Sequence, residues 1–176
     1  IFNGIDLSVY RYIKSNIKNK LGIEDAFLVL GVASQWDDMK GLSDFGRLAE
    51  LISDDFKIVL VGLQKHQILS LPKNIIGVLR TDNINDLVEL YSAADVTLSL
   101  SYAESMGLTI IESMACGTPV IAYNNTAQPE LITQETGFIV ENGDIKKVAK
   151  CILKIKNMNR GHFSQSCRNR VLQLYD

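Results

Sequence analysis

The stretch ESMGLTIIESMACGTPVIAYN, Glu104 to Asn124, carries two glutamates eight positions apart with a glycine between them. Paired carboxylates can move protons, attack a reacting centre, or grip hydroxyl groups. Distance argues against the first two. On one continuous helix, eight residues at ~1.5 Å rise would set the two about 12 Å apart and about 80° apart around the axis. A glycosidase-type acid and nucleophile pair needs carboxyls ~5–9.5 Å apart. Glu104 is therefore expected in a loop and Glu112 inside the helix that follows. Gly107 permits close backbone approach, and Gly107, Leu108 and Thr109 supply unpaired N–H groups at the helix start. Such a terminus suits a phosphate, and a carboxylate accepting two vicinal hydroxyls is how dinucleotide-binding domains hold a ribose. A phosphate at the helix tip with a hydroxyl-bearing group on either side is the layout of a nucleotide sugar.

On spacing alone a plainer alternative stands beside this one. Glu104 would be a first-turn acid favoured by the helix macrodipole, and Glu112 a solvated surface residue. The residues around Glu112 weigh against it. Ile110, Ile111, Met114 and Ala115 imply a largely buried helix, and Gly117-Thr118-Pro119 drives the chain straight into the next apolar run. A carboxylate in such a helix is costly to bury without a partner.

These residues need a scaffold, and the rest of the chain supplies its pattern. Short β-type apolar runs alternate with helical periodicity, which predicts an α/β domain, a doubly wound, Rossmann-like parallel sheet. The expected strands are Ala26–Val32, Lys57–Gly62, Ile75–Leu79, Val96–Leu100, Pro119–Tyr123 and Gly137–Val140. Helices are expected near Leu42–Ile52, Ile84–Ala93, Gly107–Cys116, Ile145–Lys156 and His162–Leu174, with TDNIND offering caps to the second of them. In such sheets ligands bind beyond the carboxyl ends of the strands. The loops Ala33–Gly41, Leu63–Lys65, Arg80–Asn83, Ser101–Gly107 and Asn124–Glu130 are therefore the ones to inspect.

Length and charge set bounds. The 176 residues suffice for one domain, 1–176. Lys and Arg number 18 against 20 Asp and Glu, a net charge of −2, so no nucleic-acid surface is expected. No apolar run approaches the roughly 18 residues of a membrane-spanning helix, and Ile1 opens no recognisable secretory leader. Cys116, Cys151 and Cys167 form no CxxC pair, which favours unbridged core cysteines in a cytoplasmic protein. His66 and His162 lack ligand-spaced neighbours, and no metal site is expected.

Motif by motif the chain then resembles a family. ESMGLTIIESMACGTPVIA is similar to the E-x7-E signature of the retaining glycosyltransferases of the GT-B fold, the family 4 or group 1 type in particular. Four further segments agree in order: NGID (Asn3–Asp6), MKG (Met39–Gly41), LYSAADV (Leu90–Val96), and QPELI…TGFIV…GDI. The resemblance implies that Glu112 accepts the ribose hydroxyls of a nucleotide-diphosphate sugar and that Glu104 contacts the transferred sugar. It implies that the Gly107, Leu108 and Thr109 amides, beside Ser105 and Met106, cradle the distal phosphate. Lys40 would neutralise leaving-group charge, and Arg80 with Thr81 would meet the nucleobase.

One departure stands out. The family usually carries an Arg shortly before this Lys, and Gly31–Met39 has no Arg or Lys; either a backbone or amide group serves in its place, or another cation such as Arg47 or Arg80 substitutes. Trp36 either lines the donor crevice or packs on the domain, and Asp37-Asp38 and Asp54-Asp55 are expected to be solvated. The resemblance further implies a missing N-terminal acceptor domain, a role in polysaccharide or glycolipid synthesis, and no cofactor beyond the donor substrate. It leaves open a peripheral attachment of the parent protein to the inner membrane. Rival classes are a non-catalytic nucleotide-sugar binding module and half of a sugar-nucleotide epimerase. A nicotinamide dehydrogenase lacks its G-x-G-x-x-G after the first strand, and a receiver domain lacks its acid there.

Overall fold

The computed structural model describes residues 5–125 and 127–175; Asn3 and Gly4 of the NGID segment lie outside the described residues. Six strands build the sheet: β1 (Phe27–Val32), β2 (Phe56–Val61), β3 (Ile75–Val78), β4 (Val96–Ser99), β5 (Val120–Tyr123) and β6 (Gly137–Val140). All neighbours pair in parallel, in the order β3-β2-β1-β4-β5-β6. Strands such as VTLS and VIAY are buried residue by residue, as a sheet covered on both faces demands. Each strand lies within a residue of its expected bounds.

The helices are α1 (Ile17–Lys20), α2 (Leu42–Ala49), α3 (Lys65–Ile68), α4 (Ile84–Ala93), α5 (Leu108–Ala115), α6 (Gln128–Leu131), α7 (Ile145–Met158) and α8 (Gly161–Tyr175), with a 3-10 turn at Asp38–Lys40. The sequence did not announce α1, α3, α6 or the 3-10 turn. Three or four residues make about one turn, too little for a periodic apolar face. α2 stops three residues before the expected Ile52, whose amide closes a last turn on Leu48. α4 begins as the TDNIND segment suggested: the Asn83 side chain accepts the Asp86 amide at 3.0 Å.

Strand order positions everything that follows. The chain runs β1 to β2 to β3 in one direction and β4 to β5 to β6 in the other. Right-handed crossovers then force the connecting helices onto opposite faces. α4, α5 and α8 pack side by side on one face and α2 packs against α7 on the other. Between β1 and β4 the two directions part, and the loops beyond their carboxyl ends splay into a crevice.

Candidate functional site

One wall of the crevice is the turn after β1. Asp37 caps it, its Oδ1 accepting the Lys40 amide at 2.9 Å, so this acid is exposed yet structural. Gly41 follows with φ +76, and a Cβ there would lie 2.4 Å from the Leu100 carbonyl oxygen. Only glycine lets the turn come this close to the end of β4. Two further bonds fasten it: the Tyr102 amide donates to the Met39 carbonyl at 2.8 Å, and the Ser101 hydroxyl donates to the same oxygen. Lys40 is thereby delivered to the loop that carries Glu104.

The two meet. Lys40 Nζ lies 2.8 Å from Glu104 Oε2, and Glu104 Oε1 accepts the Gly107 amide at 3.4 Å. Burial alone would push the Glu104 carboxyl up, but the Lys40 ammonium and the Gly107 and Met106 amides outweigh it and hold the carboxyl below its usual range. Glu104 is ionised at neutral pH. The Gly107 amide is therefore engaged inside the protein, which corrects the expectation that it stands open for a phosphate. Leu108 and Thr109 keep amides with no hydrogen-bond partner among the described residues, at a helix start with no side-chain cap.

Glu112 sits one helical stretch deeper and answers to different partners. Its Oε2 accepts the hydroxyl of fully buried Tyr91 at 2.8 Å, and the Tyr10 hydroxyl faces the same carboxylate. Burial pushes the Glu112 carboxyl up, and the two tyrosines only partly offset it. Burial and the Glu112 charge also drive the Tyr91 hydroxyl well above its ordinary range. Neither Tyr91 nor Tyr10 was foreseen as part of the site. LYSAADV contains Tyr91, but no local pattern says that its ring ends under Glu112.

A cleft of about 340 Å³ collects these groups. Lys40, Glu104, Ser105, Met106, Leu108, Thr109 and Glu112 line it, over a floor made by the ends of β1 and β4. Trp36 does both things considered for it: its ring closes one side, while its N–H donates to the Val61 carbonyl at 2.8 Å and its edge meets Phe45. Arg80 and Thr81 are not in this cleft. They line an adjoining one of about 620 Å³, which shares the Val32–Ser34 wall and so continues the first. The result is a long groove, with a cation, two carboxylates and helix amides at one end and Arg80 at the other.

Arg47 does not substitute for the absent arginine. Its guanidinium is held by Asp44 Oδ1 at 2.9 Å and lines a separate cavity beside Gly143–Lys146. Asp44 itself is buried and also accepts the Tyr102 and Tyr123 hydroxyls at 2.8 and 2.6 Å. This knot ties α2 to the loop after β4, and so fixes the relative position of Lys40 and Glu104. Elsewhere, the three cysteines are free and buried, and burial pushes the Cys116 and Cys167 thiols up to about 12. No cluster of three or more His, Cys, Asp or Glu residues suited to a metal occurs among the described residues.

Comparison with known proteins fits this geometry. A family model described as glycosyl transferases group 1 matches residues 13–171. The N-acetyl-alpha-D-glucosaminyl L-malate synthase of Bacillus anthracis is 29% identical over 182 residues, covering 97% of this chain and 47% of the relative. The chain thus spans about half the length of this curated relative. Among solved structures, the Anabaena protein HepE in complex with UDP-glucose superposes with a TM-score of 0.85 at 22% identity, over 100% of this chain and 53% of HepE. The C-terminal domain of a glycosyl transferase group 1 family protein, LpcC of Francisella tularensis, gives 0.81 at 21% identity, over 98% of this chain and 99% of that domain. The six-stranded parallel sheet with its helices is the half-domain found in GT-B glycosyltransferases.

Proposed function

Since the chain belongs to the group 1 glycosyltransferases, we propose that it is the donor-binding half of a retaining enzyme that transfers a sugar from a nucleoside diphosphate to an acceptor. One observation carries this: the groove at the strand-order switch brings Lys40, Glu104, the Leu108 and Thr109 amides and Glu112 onto one surface, with Arg80 and Thr81 further along it. That is the order of groups an elongated ligand of sugar, diphosphate and nucleoside requires.

In this reading the diphosphate lies against the helix tip, where amides and the positive end of α5 favour negative charge. As the anomeric C–O bond breaks, its electron pair stays on the departing phosphate oxygen. The acceptor hydroxyl forms the new C–O bond and gives up its proton, which the diphosphate can take. Lys40 would stabilise the charge that grows on the diphosphate, an electrostatic role of the kind that supplies much of many rate enhancements. Glu104 would receive hydroxyls of the sugar and Glu112 those of the ribose. Arg80 is the remaining candidate for the second cation, and the scheme needs no metal ion or further cofactor. An acceptor-binding partner domain completes the enzyme, since a positioned acceptor supplies much of the rate. Polysaccharide or glycolipid assembly on the cytoplasmic side, with the enzyme peripheral to the membrane, is the setting the reading favours.

Calorimetric titration of this chain with UDP, GDP and ADP, with and without magnesium, tests the proposal. Binding of one of them, independent of magnesium and weakened at least tenfold by both Lys40→Ala and Glu112→Ala, is the expected result. Absence of binding at millimolar nucleotide would refute it. A non-catalytic binding module would show the same binding but no sugar transfer when the parent protein is assayed.

A further inference from the structure

We propose that Glu104 sorts ligands by charge: by sharing Lys40, it makes the cleft favour a sugar-linked nucleoside diphosphate over the free one. The inference rests on the donor-binding reading above and concerns the discrimination between substrate and leaving product at the same site. It starts from the geometry of the cleft. Lys40, the one cation lining that cleft among the described residues, is held 2.8 Å from a carboxylate, and the Gly107 amide at the helix tip is turned to the same side chain. Two of the groups that would meet an anion, Lys40 and the Gly107 amide, already face one, while the Leu108 and Thr109 amides stay open.

An arriving terminal phosphate must either draw Lys40 away from Glu104 or accept the carboxylate as a close neighbour. Both options are costly, because the Glu104 side chain is only 19% exposed and water compensates it poorly. The cost depends on the ligand's own charge. A free nucleoside diphosphate ends in a phosphate whose second ionisation lies near pH 6, so it carries close to one additional negative charge at neutral pH. A sugar-linked diphosphate ends in a diester without that charge. It also presents sugar hydroxyls, which donate to Glu104. The same carboxylate therefore repels the leaving product and receives the substrate.

A like charge a few ångströms away at a partly screened site shifts affinity by roughly one to two orders of magnitude. Asp44 helps hold the pair in register, since its bonds to Tyr102 and Tyr123 anchor the loop that carries Glu104 against α2. It does not line the cleft itself.

The test compares free and sugar-linked ligands in one series. This chain, Glu104→Gln and Glu104→Asp are titrated with UDP and UDP-glucose, and with GDP and GDP-mannose, at low salt and pH 7.5, after thermal melts confirm folding. Glu104→Gln keeps the shape and removes the charge, and should bind the free diphosphate about tenfold tighter while gaining nothing for the sugar-linked form. Glu104→Asp keeps the charge and should retain most of the native preference even if its reach is shorter. An equal change in both affinities, or weaker binding of the free diphosphate by Glu104→Gln, overturns the inference and leaves the donor-binding proposal standing. If the native chain binds neither pair, the donor-binding proposal falls and the inference with it.

Discussion

Helix α5 ends differently at its two termini. At its start, two amides remain without a partner among the described residues, one glycine bends the chain, and a single ion pair stands over the opening. At its other end the Cys116, Gly117 and Thr118 amides close the last carbonyls of the helix, and arginines take the Ala115 carbonyl and those just beyond it. Arg160 donates to the Cys116 and Gly117 carbonyls, to the Ser92 carbonyl and to Thr118 Oγ1, and Arg168 donates to the Ala115, Tyr10 and Leu7 carbonyls. A cavity of about 520 Å³ lies there too, lined by Arg11, Arg160 and Arg168. Composition alone would mark that pole as the anion site. It is less suited to be one, because Arg160 and Arg168 already donate to backbone oxygens and to Thr118 Oγ1. The pole with one lysine and two acids is the better candidate, since the Leu108 and Thr109 amides there have no partner among the described residues. Availability of hydrogen-bonding groups, more than residue charge, separates a binding end from a structural end.

Three substitutions press on this contrast. Arg160→Ala should have the largest effect, because it strips several charge-assisted bonds and leaves buried carbonyls orphaned at one stroke. A loss of about 3 kcal/mol is expected, seen as a fall in Tm of roughly 6–12 °C, with affinity for a nucleoside diphosphate nearly unchanged at temperatures where the variant is folded. A large loss of affinity with little loss of stability would mean that the two poles had been assigned the wrong way round. Gly107→Ala comes next. Its φ of +63 costs a side-chain-bearing residue about 1–2 kcal/mol, and the new Cβ would sit 2.7 Å from the side-chain tip of buried Leu131. Denaturant unfolding should show that loss, and calorimetry a weaker diphosphate contact as the Leu108 and Thr109 amides shift.

The smallest effect on stability is expected at Glu112, and its sign is the informative part. The folded protein holds the Glu112 proton more tightly than the unfolded chain does. The group therefore favours folding at low pH, and this contribution is lost as pH rises from the ordinary value near 4.5 through the raised one. At neutral pH the ionised side chain is a modest burden on stability. Glu112→Gln should accordingly give a slightly higher Tm at pH 7 than the native chain and a shallower fall of Tm between pH 4 and 7, while nucleotide binding is lost. A lower Tm would mark Glu112 as a structural partner of Tyr91 and remove it from the proposed site.

Much of the molecule was legible from local pattern. The six strands, the five longer helices, the loop position of Glu104, the helical position of Glu112 and the glycine at the helix tip all follow from periodicity, apolar runs and turn chemistry. Each of these is decided within about a dozen residues, and a linear sequence displays such information directly. One-turn helices were missed because a single turn has no period to read.

Partner choice was not legible. The Lys40–Glu104 pair spans 64 positions, the Tyr91–Glu112 bond 21, and the Tyr123–Asp44 bond 79. Asp44 resembles any polar residue of an amphipathic helix until the loop after β4 folds over it, and Arg47 was a reasonable substitute cation until Asp44 claimed it. The same holds for Arg160 and Arg168, which say nothing locally about the carbonyls at and just beyond the end of α5. By itself the sequence determined the elements and the loops that carry chemistry, because propensity and hydrophobic period act over neighbouring residues. The tertiary structure alone decided which charges are matched, which amides are left open and which arginines are occupied, because strand order and crossover hand bring together groups that the chain keeps far apart.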